Sequence, residues 1–375
     1  MTGIPRPGAP VRGSHTGRPI MAVFDLVSRR WVLRVLWELS RAEAPLTFRD
    51  LKARCADMSS SVLTRRVAEL REARLVERVE GGYVLSDLGD GLVARLEPLT
   101  DWSAAWAAAM RFTASHRGGS GPPLVCLHGF TDTWRTWELV LPELERHHDV
   151  LAPTLVGHAG GPPLEGEVTR TLLADAIERA MDDAGFETAH IVGNSLGGYL
   201  ALQLAARGRA RSVVALAPGG GWTEGDEFYK ETLDFFAALQ QQVKAIAPRA
   251  EALLASPEGR RRATQFTTVN FEHIPAELLV HQTHAVAACE GVVPMGEYVK
   301  REGYQLDAER IACPVRVVWG TEDKILAWPS SAVRYRDDWL PHADWVVLEG
   351  VGHCPQLDIP LETARLIVDF TAANP

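Results

Sequence analysis

Apolar positions recur at helical intervals along the first third of the chain and in short unbroken runs thereafter, and this change of pattern divides the molecule. Residues 21–39, MAVFDLVSRRWVLRVLWEL, carry apolar side chains three and four apart, which predicts one amphipathic helix. Thr47 stands as N-cap of a short helix over 47–55. Residues 59–75, SSSVLTRRVAELREARL, predict another, capped by one of its serines, with Leu63, Val67 and Leu70 on one face. VERV and YVLS flank EGG and read as two short strands about a tight turn, and a last helix is expected over roughly 87–110.

From residue 122 onward β-branched apolar runs alternate with amphipathic stretches, the pattern of an α/β domain with a mainly parallel sheet. PPLVCLHGF, DVLAPTLVGHAG, AHIVGNS, SVVALAP, CPVRVVWG and DWVVLEG are the expected strands with their following loops. TRTLLADAIERAMDDAG (169–185) predicts a helix with Leu172, Ala176 and Ala180 on a face and Gly185 as its stop; LGGYLALQLAARG and PLETARLIVDFTAA are two more. The expected organisation is a disordered lead-in over 1–18, a first domain over 19–115, a linker over 116–123 (HRGGSGPP) and a second domain over 124–375. A mostly helical insertion occupies about 221–311.

Composition is that of an ordinary globular chain, 46% hydrophobic and 23% charged. No apolar run approaches the ~20 residues that span a bilayer, so no membrane partner is expected. The net charge of −9 is uneven: residues 1–118 hold 18 Lys and Arg against 13 Asp and Glu, the remainder 21 against 35. That split suggests two jobs. Five cysteines without a CxxC pair form neither a zinc site nor a disulfide framework, which points to a reducing cytoplasm. No cofactor is called for, and His281 with His284, three apart, lack the further ligands of a metal site.

The chemistry sits in Gly193-Asn194-Ser195-Leu196-Gly197, a G-x-S-x-G between a strand pattern and a helix pattern. Such a context exposes the serine hydroxyl on a sharp turn at a helix N-terminus. Serine needs a base, and the base an acid to orient it. Asp323, in WGTED, lies 128 residues after Ser195, and His353, in GVGHCPQLDIP, 30 residues after that. Glu322 is an adjacent alternative acid, and Cys354 an alternative nucleophile without a second acid–base partner nearby. His128 reads as structural within its turn.

LHGF, GNSLGG, WGTED and GVGHCPQLDIP together make residues 122–375 resemble the α/β-hydrolase superfamily. The resemblance implies an α/β-hydrolase fold, a catalytic set of Ser195, Asp323 and His353, and an oxyanion hole from the backbone N–H groups of Phe130 and Leu196. Its G-x-x-D spacing from Gly320 selects Asp323 over Glu322, and its usual Pro-Asp reads Pro153-Thr154 here. The insertion becomes a helical cap over the site, with Trp222, Phe228, Phe235 and Phe236 as pocket walls or cap packing. A small hydrophobic acyl substrate is implied, by ester, thioester, amide or carbon–carbon hydrolysis or by perhydrolysis. Serine at the elbow argues against the dehalogenases and epoxide hydrolases of this fold, which attack with a carboxylate.

Residues 19–110 resemble the HxlR-type regulators through PIMAVFDLVSRRWVLRVLWEL, LTFRDLKARCADMSSSVLTRRVAELREARLVERV and YVLSDLGDGL, which implies a small winged helix-turn-helix domain. Carried over, Ser59, Ser60, Thr64, Arg65 and Arg66 would face double-stranded DNA, the first and last helices would make a homodimer, and the arginines are otherwise a solvated face. The wing is shorter than relatives carry and is flanked by Glu77 and Glu80, and Arg18 and Pro19 occupy the place of a redox cysteine. The reading is therefore an esterase-like serine hydrolase with a fused winged helix, or alternatively a DNA-binding regulator whose hydrolase-fold domain senses a small ligand.

Overall fold

In the computed structural model, which describes residues 3–55, 58–223 and 225–375, the chain forms two compact units, 1–108 and 109–375. The first contains α1 (Pro19–Val27), α2 (Val32–Ser40), α3 (Phe48–Arg54), α4 (Ser60–Glu72), the strands β1 (Val76–Val79) and β2 (Gly82–Leu85), α5 (Asp87–Leu96) and most of α6 (Leu99–Arg111). Its core is Val32, Val35, Leu36, Leu51, Leu63, Val67, Leu70 and Val76. Thr47 and Ser59 cap α3 and α4 by accepting from the backbone N–H groups of Asp50 and Val62. β1 and β2 pair antiparallel about Glu80 and Gly81.

Two expected helices are each split. Residues 21–39 break at Trp31, whose φ is 80°, because the Arg30 carbonyl accepts from Arg66 Nε (2.9 Å) of α4 rather than continuing a helical ladder. The helix over 87–110 divides before Pro98, which has no N–H to donate. The lead-in is also better organised than disorder implies. Val11 is buried and bridges Ser14, and Arg12 donates to Ser28 Oγ (2.6 Å).

The second unit is built on β3 (Ser115–Gly119), β4 (Pro123–Leu127), β5 (Asp149–Pro153), β6 (Ala189–Asn194), β7 (Ala210–Leu216), β8 (Val315–Gly320) and β9 (Asp344–Leu348), ordered β3-β5-β4-β6-β7-β8-β9. All neighbours are parallel except β3, which runs antiparallel to β5 from Ser115↔Pro153 to Gly119↔Asp149. The expected linker 116–123 is thus mostly an edge strand and its turn. Its glycines mark close packing: a Cβ on Gly119 (φ 80°) would lie 2.2 Å from the His148 carbonyl oxygen, and one on Gly121 (φ 130°) 2.6 Å from that of His147.

Alternate residues of each strand feed opposite cores, as the two-residue period demands. Val125, Leu127, Ile191 and Val317 pack with α8 (Leu172–Asp183) and α9 (Leu196–Ala206). Leu124, Cys126, Val192 and Val318 pack with Trp137, α7 (Leu141–Leu144) and the terminal α16 (Pro360–Ala373). The buried face of α8 is Ala174, Ile177 and Met181, not Leu172, Ala176 and Ala180. That face buries larger side chains, which gives the greater hydrophobic gain. Between β7 and β8 stands a helical cap of α10 (Phe228–Ile246), α11 (Ala250–Leu254), α12 (Pro257–Thr264), α13 (Ala276–Ala288) and α14 (Val292–Glu302), and α15 (Pro355–Asp358) precedes α16.

Burial pushes the imidazoles of His158, His190 and His281 down to about 4, and that of His128 well below its ordinary value. Each is therefore neutral in the fold, whereas in the unfolded chain it takes up a proton below its ordinary value of 6.5. Because the folded values are the lower ones, this stability is complete above about pH 6.5. It is lost progressively as pH falls from 6.5 toward 4. Urea midpoints at pH 7.5, 6 and 5 are expected to fall steeply, and Ser212→Ala, which removes only the partner of His190, is expected to leave that slope in place.

Candidate active site

The loop between β6 and α9 turns so sharply that Ser195 is held at φ 57°, ψ −116°, a backbone conformation costly for any residue with a side chain. Its flanking glycines are sterically required. A Cβ on Gly193 would lie 2.1 Å from the Gly197 carbonyl oxygen, and one on Gly197 2.1 Å from that of Leu127. Ser195 N–H is bonded to the Leu216 carbonyl (2.8 Å), which leaves Leu196 N–H as the first open donor at the N-terminus of α9. Phe130 N–H, in the turn after β4, likewise donates to no group among the described residues, and Phe130 and Leu196 line the same pocket as Ser195.

Asp323 follows β8 and His353 follows β9, so parallel strand ends deliver both to the β6–α9 turn. His353 Nδ1 donates to Asp323 Oδ2 at 2.7 Å, while Asp323 Oδ1 accepts from the N–H groups of Ile325 (2.9 Å) and Leu326 (2.7 Å). The carboxylate side chain is fully buried and the imidazole almost so. The His353 imidazole is hydrogen-bonded to Asp323 and not to Ser195, and nucleophile–base bonds of this kind are often long until substrate binds. The alternatives are placed elsewhere. Glu322 is exposed. The Cys354 thiol is driven well above its ordinary value by burial, then by Asp132, Asp323 and Asp358, and it donates to Asn194 Oδ1 (3.3 Å). His128 Nε2 accepts from Leu155 N–H (2.9 Å), which fixes Nδ1 as donor to the Gly129 carbonyl (2.8 Å).

Sequence reading missed the groups that tie these parts together. Asn194 Nδ2 donates to the His353 carbonyl (2.9 Å), and its Oδ1 accepts from Gln356 Nε2 (3.1 Å), which also reaches Thr136 Oγ1 (3.1 Å). The turn carrying Phe130 is held from the cap. Gln282 Nε2 donates to Asp132 Oδ2 (3.1 Å), and His281 Nε2 is bonded to Thr133 Oγ1 (2.9 Å). Of the two histidines of HQTH, His281 serves the turn while His284 lies beside Glu251 (3.9 Å), and no group of three or more metal-ligating side chains occurs among the described residues. Burial raises Asp132 to about 6.

The pocket over Ser195 has a largely apolar wall that includes Phe130, Leu196, Leu200, Met295 and Ile325. Of the four aromatic residues expected there, Trp222 and Phe236 contribute, whereas Phe228 is exposed and Phe235 packs against Phe236 and Phe266. Tyr199, Tyr229 and Tyr304 were not foreseen, because they come from three separate segments with no common spacing.

A serine on a strained strand-to-helix turn, with acid and histidine delivered by later strand ends, coincides with a match of residues 124–366 to the model described as alpha/beta hydrolase family. The chain belongs to the alpha/beta hydrolase family. Residues 26–111 match the HxlR-like helix-turn-helix. Within the hydrolase family, the epoxide hydrolase EphH of Mycobacterium tuberculosis is 34% identical over 205 residues, covering 54% of this chain and 95% of that protein. The 2-hydroxymuconate semialdehyde hydrolase of Pseudomonas sp. is 36% identical over 287 residues, covering 71% and 92%. Among solved structures, a bacterial membrane phospholipase A (TM-score 0.55, 21% identity, 76% of this chain and 95% of that one) has the hydrolase fold. So does a thermophilic esterase from Thermogutta terrifontis (0.51, 21%, 69% and 93%).

On the HxlR-like unit, Ser60, Thr64 and Arg65 are exposed along α4, and Ser59 is its cap. Arg66 is a correction. Its side chain is largely buried, paired with Glu69 and bonded to the Arg30 carbonyl, so it braces the α1–α2 break instead of facing a ligand. Arg66→Ala is expected to lower the unit's stability by about 1–3 kcal/mol, the cost of unsatisfied buried partners. Arg65→Ala is expected to leave thermal unfolding unchanged, its side chain being exposed, and, on the reading that this unit binds DNA, to reduce the slope of log K against log salt by about one. Thermal scans beside salt-titrated fluorescence anisotropy distinguish the two.

Proposed function

We propose that the chain is a serine hydrolase acting on a small, largely apolar carboxylic ester through an acyl-enzyme. The observation that carries this is the Asp323–His353 hydrogen bond beside a serine held at positive φ. In this reading His353 takes the Ser195 proton, Asp323 fixes the imidazole tautomer, and Phe130 and Leu196 N–H groups receive the oxyanion. The apolar pocket supports a hydrophobic acyl group. Likeness to the semialdehyde hydrolase keeps carbon–carbon bond hydrolysis, and with it thioester cleavage, within the range of the same Ser195 chemistry. Likeness to an epoxide hydrolase carries less. Ring opening by serine would leave an ether that water at the site cannot release, whereas an acyl-serine is readily hydrolysed. A fluorophosphonate probe with peptide mapping tests the proposal: labelling of Ser195 is expected, and a native protein left unlabelled there would defeat it.

The HxlR-like match supports a second, compatible reading in which the N-terminal unit binds double-stranded DNA and the hydrolase domain also senses its ligand. Ile20 and Phe24 of α1 and the stacked Trp102 and Trp106 of α6 are exposed apolar groups suited to a homodimer. No helix among the described residues is long and apolar enough to cross a membrane, and free cysteines suit a reducing cytoplasm. A salt-dependent shift of the gene's own upstream DNA is the expected result, and absence of binding at low salt removes this reading.

A further inference from the structure

The motif ALAPGGGW, which runs on from the last two residues of β7, places three glycines near the Ser195 turn, and the structure shows what each admits. Gly219 N–H donates to the Ser195 carbonyl (3.0 Å), and its own carbonyl accepts from Tyr335 Oη (2.6 Å). Gly221 lies against Tyr335: a Cβ there would be 2.6 Å from that ring. Gly220, at φ 92°, lies flat against a different ring, since a Cβ on it would stand 2.7 Å from two ring carbons of Tyr304.

That ring is fixed on its other sides too. Tyr199 packs edge-on at 5.0 Å between centroids and Tyr229 at 6.3 Å, while Trp222 is tilted against it at 5.8 Å. Its hydroxyl is in a different situation from those around it. Tyr199 Oη donates to the Gln305 carbonyl (2.6 Å) and accepts from Gln203 Nε2 (3.0 Å), and Tyr335 Oη is held by Gly219. Tyr304 Oη makes no hydrogen bond among the described residues, although Tyr304 lines the pocket. A Cβ on Gly219 would lie 3.7 Å from that hydroxyl and 3.9 Å from the Ser195 backbone carbonyl, so one bare glycine stands between the Tyr304 hydroxyl and the backbone of Ser195, and both residues line the pocket.

Resting on the serine-hydrolase reading, we infer that Tyr304 is a specificity-determining residue whose hydroxyl donates to an oxygen acceptor of the acyl group close to the scissile carbonyl. The substrate class is thereby narrowed to acyl groups bearing a keto, ether or hydroxyl oxygen on an otherwise apolar body. Burial, with Tyr199 and Tyr229 next, pushes the Tyr304 phenol further up, so it stays a neutral donor and is not a base. An all-carbon acyl chain fills the same volume and leaves this donor unpaired in an apolar wall, which is how a polar pocket group selects.

The experiment compares aryl methoxyacetate with aryl butyrate, an isosteric pair that differs by one ether oxygen, on wild type, Tyr304→Phe, Gly219→Ala and Ser195→Ala. Tyr304→Phe is expected to lower kcat/KM for the methoxyacetate about tenfold and to leave the butyrate within about twofold. Gly219→Ala, whose added methyl makes only ordinary contacts, is expected to erode the same preference by standing between hydroxyl and substrate. Equal losses on both esters, or no change in their ratio, overturn the inference while Ser195-dependent turnover leaves the hydrolase reading intact. Ser195→Ala that retains more than about a tenth of the wild-type rate overturns that reading instead. Should wild type cleave neither ester, calorimetry with the two matching anilides reads the same preference. There too Tyr304→Phe must abolish it, and failure to do so overturns the inference.

Discussion

Replacing Ser195 by alanine is expected to lower kcat toward short-chain aryl esters by about 10⁴-fold or more, the scale seen when a nucleophile of this kind is removed. The change deletes one oxygen from a residue whose backbone is fixed by its neighbours. Ser195 N–H is held by Leu216 and its carbonyl by Gly219, so neither bond depends on the hydroxyl. Thermal unfolding should therefore be unchanged or slightly raised, since alanine removes a polar group from a largely buried position. Residual hydrolysis above the water rate should remain, because the Phe130 and Leu196 N–H groups and the apolar pocket survive the change. A variant retaining more than about a tenth of the wild-type rate would place the chemistry on another residue.

Asp323→Asn is expected to cost nearly as much, about 10⁴-fold in kcat with little change in KM. Asp323 serves two masters through its two oxygens. Oδ1 accepts from the Ile325 and Leu326 N–H groups, and Oδ2 accepts from His353 Nδ1. An asparagine keeps its one oxygen where two backbone donors require it, so its NH₂ faces the imidazole. Nδ1 must then accept, which moves the ring proton to Nε2, the nitrogen that should take the serine's proton. Folding is expected to persist because the backbone bonds persist, and comparison of Tm with kcat separates lost chemistry from lost structure. Wild-type turnover by this variant would remove Asp323 from the proposed reaction.

The parts legible in the sequence are those fixed by local rules. Gly193 and Gly197 announce the turn because no side chain fits there, and strand-end loops present Asp323 and His353 wherever a parallel sheet forms. The parts that escaped are fixed by contacts between distant residues. The break at Trp31 depends on Arg66, 36 residues beyond the carbonyl it captures, and contains neither glycine nor proline. Asn194 and Gln356 read as filler within their motifs, yet they bind the histidine loop to the elbow across 159 and 162 positions. The glycines of HRGGSGPP looked like slack because flexible and tightly packed glycines are spelled alike. Glu145, His147 and His148, brought alongside just ahead of β5, tell them apart.

Placing β3 ahead of β4 has a practical consequence for dissecting this fusion. A hydrolase fragment started at Pro122, where composition invites the cut, would lose the one strand that pairs with the outer side of β5. The bared N–H and C=O groups beside Val150 and Leu151 would then be a template for intermolecular sheet growth, so such a fragment is built to clump. A fragment begun near Ala109 retains the flap that keeps this border sealed.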